Sequence, residues 1–152
     1  MDPRASHDGA SFGAVLGAGA LVQQVARELR TAVEASLAPY GVTSQQAALL
    51  LNAARGQTSP NQLAPLLGTD TAGMTRLLDR MEAKGLVRRT RHPGDRRAVV
   101  IEVTEEGKAL APTLAPIFGR ATMRLLDGFD EQEVAQLTGL LTRMLRNLRG
   151  DG

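Results

Sequence analysis

The sequence predicts a mainly α-helical fold with one small β-hairpin, and three observations support this expectation. Apolar residues recur at spacings of three and four along most of the 152 residues, which is typical of amphipathic helices. Between residues 86 and 103 the apolar spacing changes to two around a turn cluster, which indicates two paired strands. A hydrophobic content of 43% over this length is sufficient for one core, so we expect one globular unit.

The first predicted helix is long and amphipathic, and it covers residues 11–40. Pro39 and Gly41 end its apolar pattern. We place its start near Ser11, although the glycines at positions 13, 17 and 19 each weaken a helix by roughly 1 kcal/mol relative to alanine. Residues 1–10 are predicted to form a flexible tail. The apolar stripe consists of Val22, Val25, Leu29, Ala32 and Val33.

Three shorter helices follow, and a capping residue marks the start of each. Thr43 and Gln46 have the spacing of a capping box before a second helix over residues 44–55. Ser59 is the N-cap of a third helix, which Pro65 near its end should keep short or bent.

The fourth helix is predicted over residues 71–84, with Asp70 as its N-cap and Gly85 after its end. Its apolar stripe, at positions i, i+3, i+4 and i+7, consists of Met74, Leu77, Leu78 and Met81. Small, polar and charged residues occupy the opposite side: Ala72, Thr75, Arg76, Asp79 and Arg80. One face of this helix is therefore expected to be buried and the other free.

A hairpin and two further helices complete the chain. Alternating residues predict strands over residues 86–91 and 99–103, with a turn at residues 92–95. Thr104 is the N-cap of a fifth helix, which the prolines at positions 112 and 116 should kink. Asp130 begins the last helix, whose apolar stripe includes Val134, Leu137, Leu141, Met144 and Leu148.

The basic residues are concentrated in one segment. Residues 76–97 hold eight Lys or Arg and three acids, a net charge of +5, whereas the rest of the chain has a net charge of −3. This distribution is typical of a surface that binds a polyanion. A solvated charged face without a ligand is the alternative interpretation.

Rare residue types exclude several classes of function. Without cysteine, the chain cannot form a disulfide framework, a thiolate metal site or a thiol-based oxidation sensor. With His7 and His92 as its two histidines, we expect no metal ion, no cofactor and no catalytic Ser/His/Asp triad. The aromatic content of 3% is too low for the stacking platforms that bind single-stranded nucleic acid.

Residues 9–22 could be mistaken for a secretory signal, but they are mostly Gly and Ala and follow two aspartates. No apolar run in the sequence approaches the length needed to cross a membrane. We therefore expect a soluble cytoplasmic protein.

The order of the elements predicts a winged helix-turn-helix unit over residues 42–104. A short helix, a glycine-containing turn, a longer helix and a basic hairpin follow one another directly. The longer helix has the right size to enter the major groove of DNA, and the hairpin, or wing, lies beside it. Two alternatives are a protein-interaction module with this fold that binds no DNA, and an enzyme with an unrecognised site.

One segment of this unit has a specific pattern. Leu63 to Gly107 reads LAPLLGTDTAGMTRLLDRMEAKGLVRRTRHPGDRRAVVIEVTEEG. Its most specific parts are the TRLLDRMEAKGLV run, the DRR wing tip and the TEEG start of the next helix. Together they resemble the MarR family (multiple antibiotic resistance regulator) of bacterial transcriptional regulators. The resemblance implies a transcriptional repressor that binds a pseudo-palindromic operator in double-stranded DNA as a homodimer.

The resemblance also implies which helices form the dimer and which helix reads DNA. The first helix and the last two, over residues 105–149, would interleave between two chains. Their apolar stripes agree with this, because a small winged unit is not large enough to cover them. The predicted interface residues are Val22, Val25, Leu29, Val134, Leu137, Leu141, Met144 and Leu148. The predicted recognition residues are Thr71, Ala72, Gly73, Thr75, Arg76 and Arg80. Gly73 departs from the family, since many relatives have Ser or Thr there.

The wing supplies a second set of predicted DNA contacts: Arg88, Arg89, His92, Asp95, Arg96 and Arg97. Arg97 is expected to enter a narrow A·T minor groove, whose negative potential attracts a guanidinium group. Arg88, Arg89 and Arg96 are expected on or near phosphates. The family resemblance gives Asp95 the role of orienting a neighbouring arginine.

A small aromatic or phenolic acid is the effector that the resemblance implies, bound between the dimer helices and the winged unit. Tyr40, Ala47 and Arg55 are the candidate pocket residues, although a lone tyrosine is more often a packing residue. Relatives often have an aromatic residue at the position of Ala47, so the pocket is expected to be larger or displaced. Ligand binding would release the operator.

Overall fold

The computed structural model describes residues 12–150, which form six α-helices and one two-stranded antiparallel sheet. The predicted mainly α fold with a hairpin wing is confirmed. The predicted tail over residues 1–10 and the helix start at Ser11 lie outside the described residues. The helices are α1 (Phe12–Leu37), α2 (Ser44–Ala54), α3 (Pro60–Leu66), α4 (Thr71–Ala83), α5 (Glu105–Leu125) and α6 (Glu131–Arg149). A 3-10 turn (Ala38–Tyr40) follows α1, and β1 (Val87–His92) and β2 (Asp95–Val103) form the wing.

Each helix from α2 onwards begins at the capping residue that the sequence predicts. Thr43 Oγ1 accepts the backbone N–H of Gln46, and Gln46 Oε1 accepts the backbone N–H of Thr43, both at 3.2 Å. These bonds satisfy N–H groups that have no partner inside the helix. The other caps that accept a backbone N–H three residues ahead are Ser59, Asp70, Thr104 and Asp130.

The helix prolines have different effects from one another. Pro65 lies inside α3, which is only seven residues long, as the sequence predicts. Pro112 and Pro116 lie inside α5, which nevertheless continues over 21 residues. Ala111, Leu114 and Ile117 of the same helix are buried in the core. The packing of this face supports the helix at the positions where each proline removes a backbone hydrogen bond.

The core lies where the end of α1, α2, α4, the base of the wing and α5 meet. The stripe predicted for α4 is buried, so the opposite side of this helix faces away from the core. The largest fully buried side chains are all aliphatic or Met, as the low aromatic content requires: Leu37, Leu49, Leu50, Leu63, Met81, Ile101, Leu114 and Val87.

The start of α5 packs closely against the base of the wing. Thr104 Oγ1 donates to the carbonyl oxygen of Gly85 at 2.6 Å and accepts the N–H of Gly107 at 3.1 Å. The backbone N–H of Thr104 donates to the carbonyl oxygen of Leu86 at 3.1 Å. These bonds join the end of α4, the first strand and α5 into one structural unit.

Two helices present apolar surface that the rest of residues 12–150 does not cover. No residue of α6 is buried, and Leu148 is 86% exposed. The exposed apolar side chains of these helices are Val15, Leu16, Leu21, Val22 and Val25 on α1, and Leu140, Leu141, Met144, Leu145 and Leu148 on α6. Exposed apolar surface of this extent on α1 and α6 is typical of an interaction site.

Among the described residues, no helix is both long enough and apolar enough to cross a membrane.

Candidate nucleic-acid interface

The side of α4 that faces away from the core carries the predicted recognition residues. Asp70 Oδ1 accepts the backbone N–H of Gly73 at 2.7 Å, which fixes the start of the helix. Burial of the apolar stripe then fixes the rotation of the helix about its axis. As a result Thr71, Ala72, Thr75, Arg76 and Arg80 are exposed, and Gly73 is partly exposed.

Gly73 lies against the side chain of Thr69. A Cβ at position 73 would lie 1.9 Å from Thr69 Oγ1 and 3.3 Å from Thr69 Cβ. A serine or threonine at this position therefore requires Thr69 to change its rotamer. Position 73 thus has no polar side chain of its own, and the hydroxyl group of Thr69 occupies the space where that side chain would lie.

A cavity of about 330 Å³ lies between α4, the start of α3 and the wing. Thr71 and Thr75 of α4 line one side, and Arg97 and Val99 of β2 line the other, with Arg89 of β1 also in the wall. The structure therefore brings Arg97 of the wing close to the N-terminal half of α4.

Two local hydrogen bonds shape the tip of the wing. His92 Nδ1 accepts the backbone N–H of Gly94 at 3.0 Å, and Asp95 Oδ1 accepts that of Arg97 at 2.9 Å. The strand register shifts next to the turn, so residues 96–98 of β2 have no partner on β1. Asp95 therefore binds the main chain of Arg97, and its role in orienting an arginine side chain stays a prediction.

The arginines of the basic segment fall into two groups. Arg88 binds Glu102 across the strand pair at 2.8 Å, and Arg89 binds Asp79 and Glu82 of α4. The second group has no side-chain hydrogen bond or ion pair within residues 12–150, and it comprises Arg76, Arg80, Arg91, Arg96 and Arg97. These five guanidinium groups are available to bind a polyanion.

Arg89 makes several bonds to the C-terminal half of α4. Its Nε donates to Glu82 Oε1 at 3.0 Å, and its Nη2 donates to Glu82 Oε2 at 3.2 Å and to Asp79 Oδ1. Its backbone N–H also donates to Glu82 Oε1, at 2.7 Å. The side-chain hydrogen bond with Arg89 is the main reason that the pKa of Glu82 is below its ordinary value. The pKa of Arg89 is raised, mainly by Glu82 and then by Asp79.

Among the described residues, no group of acids and histidines could hold a metal ion.

The three candidate effector residues do not line one cavity. Ala47 is completely buried in the core and therefore does not line an open pocket in this chain. Tyr40 is 43% exposed beyond the end of α1. Arg55 lines an open cavity of about 740 Å³ together with Phe118 and Met123 of α5, and neither Tyr40 nor Ala47 contributes to it.

Most of the predicted interface residues lie on exposed faces of α1 and α6. Five of the eight are exposed, namely Val22, Val25, Leu141, Met144 and Leu148. Val134 and Leu137 of α6 are partly buried, and Leu29 of α1 packs against the core of the same chain. Within the described residues, the larger part of the predicted stripes is therefore uncovered.

Comparison with known proteins places the chain among bacterial regulators. A sequence model of the MarR family matches residues 40–98. The multiple antibiotic resistance protein MarR of Escherichia coli (strain K12) is 28% identical over 136 residues, which make up 88% of this chain and 94% of that protein.

Solved structures extend the similarity to the fold. A crystal structure of a mutant MarR from E. coli complexed with operator DNA has a TM-score of 0.76 and 28% identity, over 89% of this chain and 98% of that chain. A crystal structure of another transcriptional regulator has a TM-score of 0.78 and 33% identity, over 87% of this chain and 98% of that chain. Because sequence and fold agree over almost the whole length, the chain belongs to the MarR family of transcriptional regulators.

Proposed function

We propose that this protein is a sequence-specific regulator of transcription that binds double-stranded operator DNA as a homodimer. The observation that carries the proposal is the position of Thr71, Thr75 and Arg97 around one cavity between α4 and the wing. A helix that enters the major groove and an arginine that enters the adjacent minor groove must lie on the same side of the protein, as these residues do. The structure of the related E. coli MarR with operator DNA supports the same use of the fold here.

The side chains of α4 and of the wing have separate roles in this proposal. The exposed N-terminal half of α4 reads base edges, and the unpaired Arg76 has the donor geometry that fits O6 and N7 of a guanine. Arg97 enters the minor groove, and Arg96 binds a phosphate. Arg88 pairs with Glu102 on the surface, and such an exposed pair is weak enough for Arg88 to bind phosphate instead.

Dimerisation through α1, α5 and α6 accounts for the uncovered apolar faces. A second copy of the chain would cover the same stripes on both protomers by two-fold symmetry. The two recognition helices would then lie one DNA turn apart. The operator is therefore pseudo-palindromic, with half-site centres about 10 bp apart. Binding to such a genomic site also requires the cytoplasmic location that the sequence predicts.

The regulatory part of the proposal is repression that a small aromatic or phenolic acid relieves. The cavity beside Arg55 supports this, because it combines a cation with the apolar side chains of Phe118 and Met123 where α5 meets the start of α6. A ligand releases DNA only to the extent that it prefers the conformation that does not bind DNA. A ligand bound at the junction of α5 and α6 could therefore change the separation of the two recognition helices in the dimer.

The alternative, a protein-interaction module that binds no DNA, accounts less well for the surface. Five arginines of the segment 76–97 have no partner within the described residues. A basic surface matches a partner of the opposite charge, which only a strongly acidic protein supplies, whereas every duplex DNA is a polyanion.

Selection of bound sequences from random duplex DNA, followed by footprinting, tests the proposed function. We expect a pseudo-palindrome protected on both half-sites. Arg76→Ala should cost about 1 to 3 kcal/mol in operator binding and relax the preference at one position per half-site. Equal loss of affinity for all sequences would instead assign Arg76 to a phosphate. Absence of any selected sequence, or protection of a single asymmetric half-site, would contradict the proposal.

A further inference from the structure

Two carboxylates lie on α4, the proposed recognition helix, one turn apart. Asp79 and Glu82 both belong to the C-terminal half of the helix. Unpaired acids at this place would repel the phosphates on either side of the major groove. Both acids are instead bound by one guanidinium group, that of Arg89 on the first strand of the wing.

The geometry of Arg89 differs from that of a residue that waits for a phosphate. Only 31% of its side chain is exposed, against 64% for the neighbouring Arg88. Its Nε and Nη2 bind both oxygens of Glu82, and Nη2 also binds Asp79. The backbone N–H of Arg89 binds Glu82 as well, so the carboxylate holds both the main chain and the side chain of β1.

We propose that Arg89 is a positioning residue for operator recognition, which holds the wing against the recognition helix and does not itself bind DNA. The proposal rests on the proposed DNA-binding function. Simultaneous contact of α4 with the major groove and of Arg97 with the minor groove requires a fixed distance between helix and wing. The bonds from Arg89 to Glu82 and Asp79 join these two elements directly, between the base of the wing and its tip.

The chemistry of the site also explains why arginine occupies it. A guanidinium group is planar and offers five donors in a fixed arrangement, so it can bind two carboxylates from one position. A lysine ammonium at the end of a flexible chain is a point charge and cannot reproduce both contacts. Arg89→Lys should therefore keep the charge of the wing and still lose the fixed arrangement.

The experiment compares Arg89→Gln, Arg89→Lys and Glu82→Gln with Arg96→Gln, whose side chain has no partner within residues 12–150. Operator DNA and a scrambled duplex are titrated at several salt concentrations, with circular dichroism as the check of folding. Arg96→Gln, as a phosphate contact, should weaken binding to both duplexes and reduce the salt slope by about 0.9 per protomer. Arg89→Lys, which keeps the charge, should weaken operator binding about tenfold, with the salt slope and the scrambled-duplex affinity unchanged. Arg89→Gln also leaves Asp79 and Glu82 unpaired, so it should weaken operator binding further and reduce the scrambled-duplex affinity as well.

Glu82→Gln is the decisive variant. Simple electrostatics predicts that loss of a negative charge tightens DNA binding, whereas a positioning role predicts weaker operator binding, as in Arg89→Gln. The double variant Arg89→Gln/Glu82→Gln should be no weaker than Arg89→Gln alone, because Arg89→Gln already removes the bonds to Glu82. Tighter binding by Glu82→Gln, or a smaller salt slope in Arg89→Lys, would overturn the proposal.

Other outcomes also give a clear answer. A variant that is merely less folded loses affinity for both duplexes equally. If Arg89→Lys loses affinity for operator and scrambled duplex equally, Arg89 only stabilises the fold and has no positioning role. Unchanged operator affinity in all three variants would overturn the positioning role while the DNA-binding function stands. If the wild-type protein does not distinguish operator from scrambled DNA, the proposed function fails first.

Discussion

Gly107 shows at the scale of single residues how closely α5 approaches the wing. An added Cβ would lie 2.2 Å from the carbonyl oxygen of Leu86 and 2.8 Å from a methyl group of Val103. The nearest atom belongs to the backbone, so a rotamer change cannot relieve the clash. The position therefore requires glycine for space, although glycine costs roughly 1 kcal/mol relative to alanine in a helix.

Gly107→Ala should lower the free energy of unfolding by about 1 to 3 kcal/mol, as expected for overpacking. Chemical denaturation measures the change. The matched control is Gly119→Ala in the same helix, where the added Cβ has no atom within 4 Å. This control should stabilise the protein by about 0.5 to 1 kcal/mol through helix propensity. Equal effects at both positions would show that the close approach is absent.

Glu82 gives a second prediction at this scale, which concerns pH. Its pKa lies below the ordinary value of 4.5 in the folded protein, because Arg89 binds the charged form. The unfolded chain therefore takes up the proton first as the pH falls. The stabilisation is fully present above pH 4.5 and is lost as the pH falls through the folded pKa.

Glu82→Gln should accordingly lose less stability than the wild type when the pH is lowered below about 4.5. Denaturation curves at a series of pH values give this comparison. Arg89→Gln should flatten the pH dependence in the same way, because it removes the partner that lowers the pKa. Parallel curves for wild type and Glu82→Gln would contradict the assigned cause.

At the scale of elements, Lys84 connects the end of α4 to the junction between α1 and α2. Its Nζ donates to Gln46 Oε1 at 2.6 Å and to the carbonyl oxygen of Gly41. Gln46 is buried and also completes the capping box of α2. Glu34 of α1 accepts the backbone N–H of Ser44 at 2.9 Å at the same junction. These bonds relate the direction of the proposed dimer helix α1 to that of the recognition helix.

Lys84→Met should lower the free energy of unfolding by about 1 to 2 kcal/mol, since hydrogen bonds to a charged donor are lost and the stem of the side chain is kept. Lys108→Met is the control, because the one ion pair of Lys108 within residues 12–150 is with the exposed Glu105 on the surface of α5. Its effect should stay within about 0.5 kcal/mol. A similar loss in both variants would mean that Lys84 does not join the elements.

At the scale of the whole molecule, the apolar faces of α1 and α6 form the proposed dimer interface. Leu141 and Met144 are 39% and 41% exposed in the single chain. The double variant Leu141→Asp/Met144→Asp would place two charges in the proposed apolar interface, at a cost of several kcal/mol. Sedimentation should then find monomers or unfolded chains where the wild type sediments as a dimer.

A control with the same change in charge separates this effect from general repulsion. Gln132→Asp/Ala135→Asp adds two acids to α6 on the side opposite the apolar stripe, where both residues are exposed. This variant should remain a dimer. A folded dimer in the Leu141 and Met144 variant would show that the chains associate through another surface.

The sequence by itself determined where α2 to α6 begin and which face of α4 is buried. Capping bonds such as those of Thr43 and Asp130 join residues three positions apart, so the sequence alone shows both partners. The α4 stripe is set by the helical period of its apolar residues. The exposed candidate residues Thr71, Thr75 and Arg76 follow directly from that stripe.

Only the tertiary structure decided which arginines of the basic segment are already bound. Arg88 and Arg89 are neighbours with the same charge, and no local pattern shows that one pairs across the sheet and the other with α4. The burial of Ala47 and the lack of space for a side chain at Gly107 likewise depend on packing between segments that are distant in the sequence. The physical reason is range: hydrogen bonds within one turn depend on adjacent residues, whereas ion pairs and close packing depend on how separate elements are placed in space.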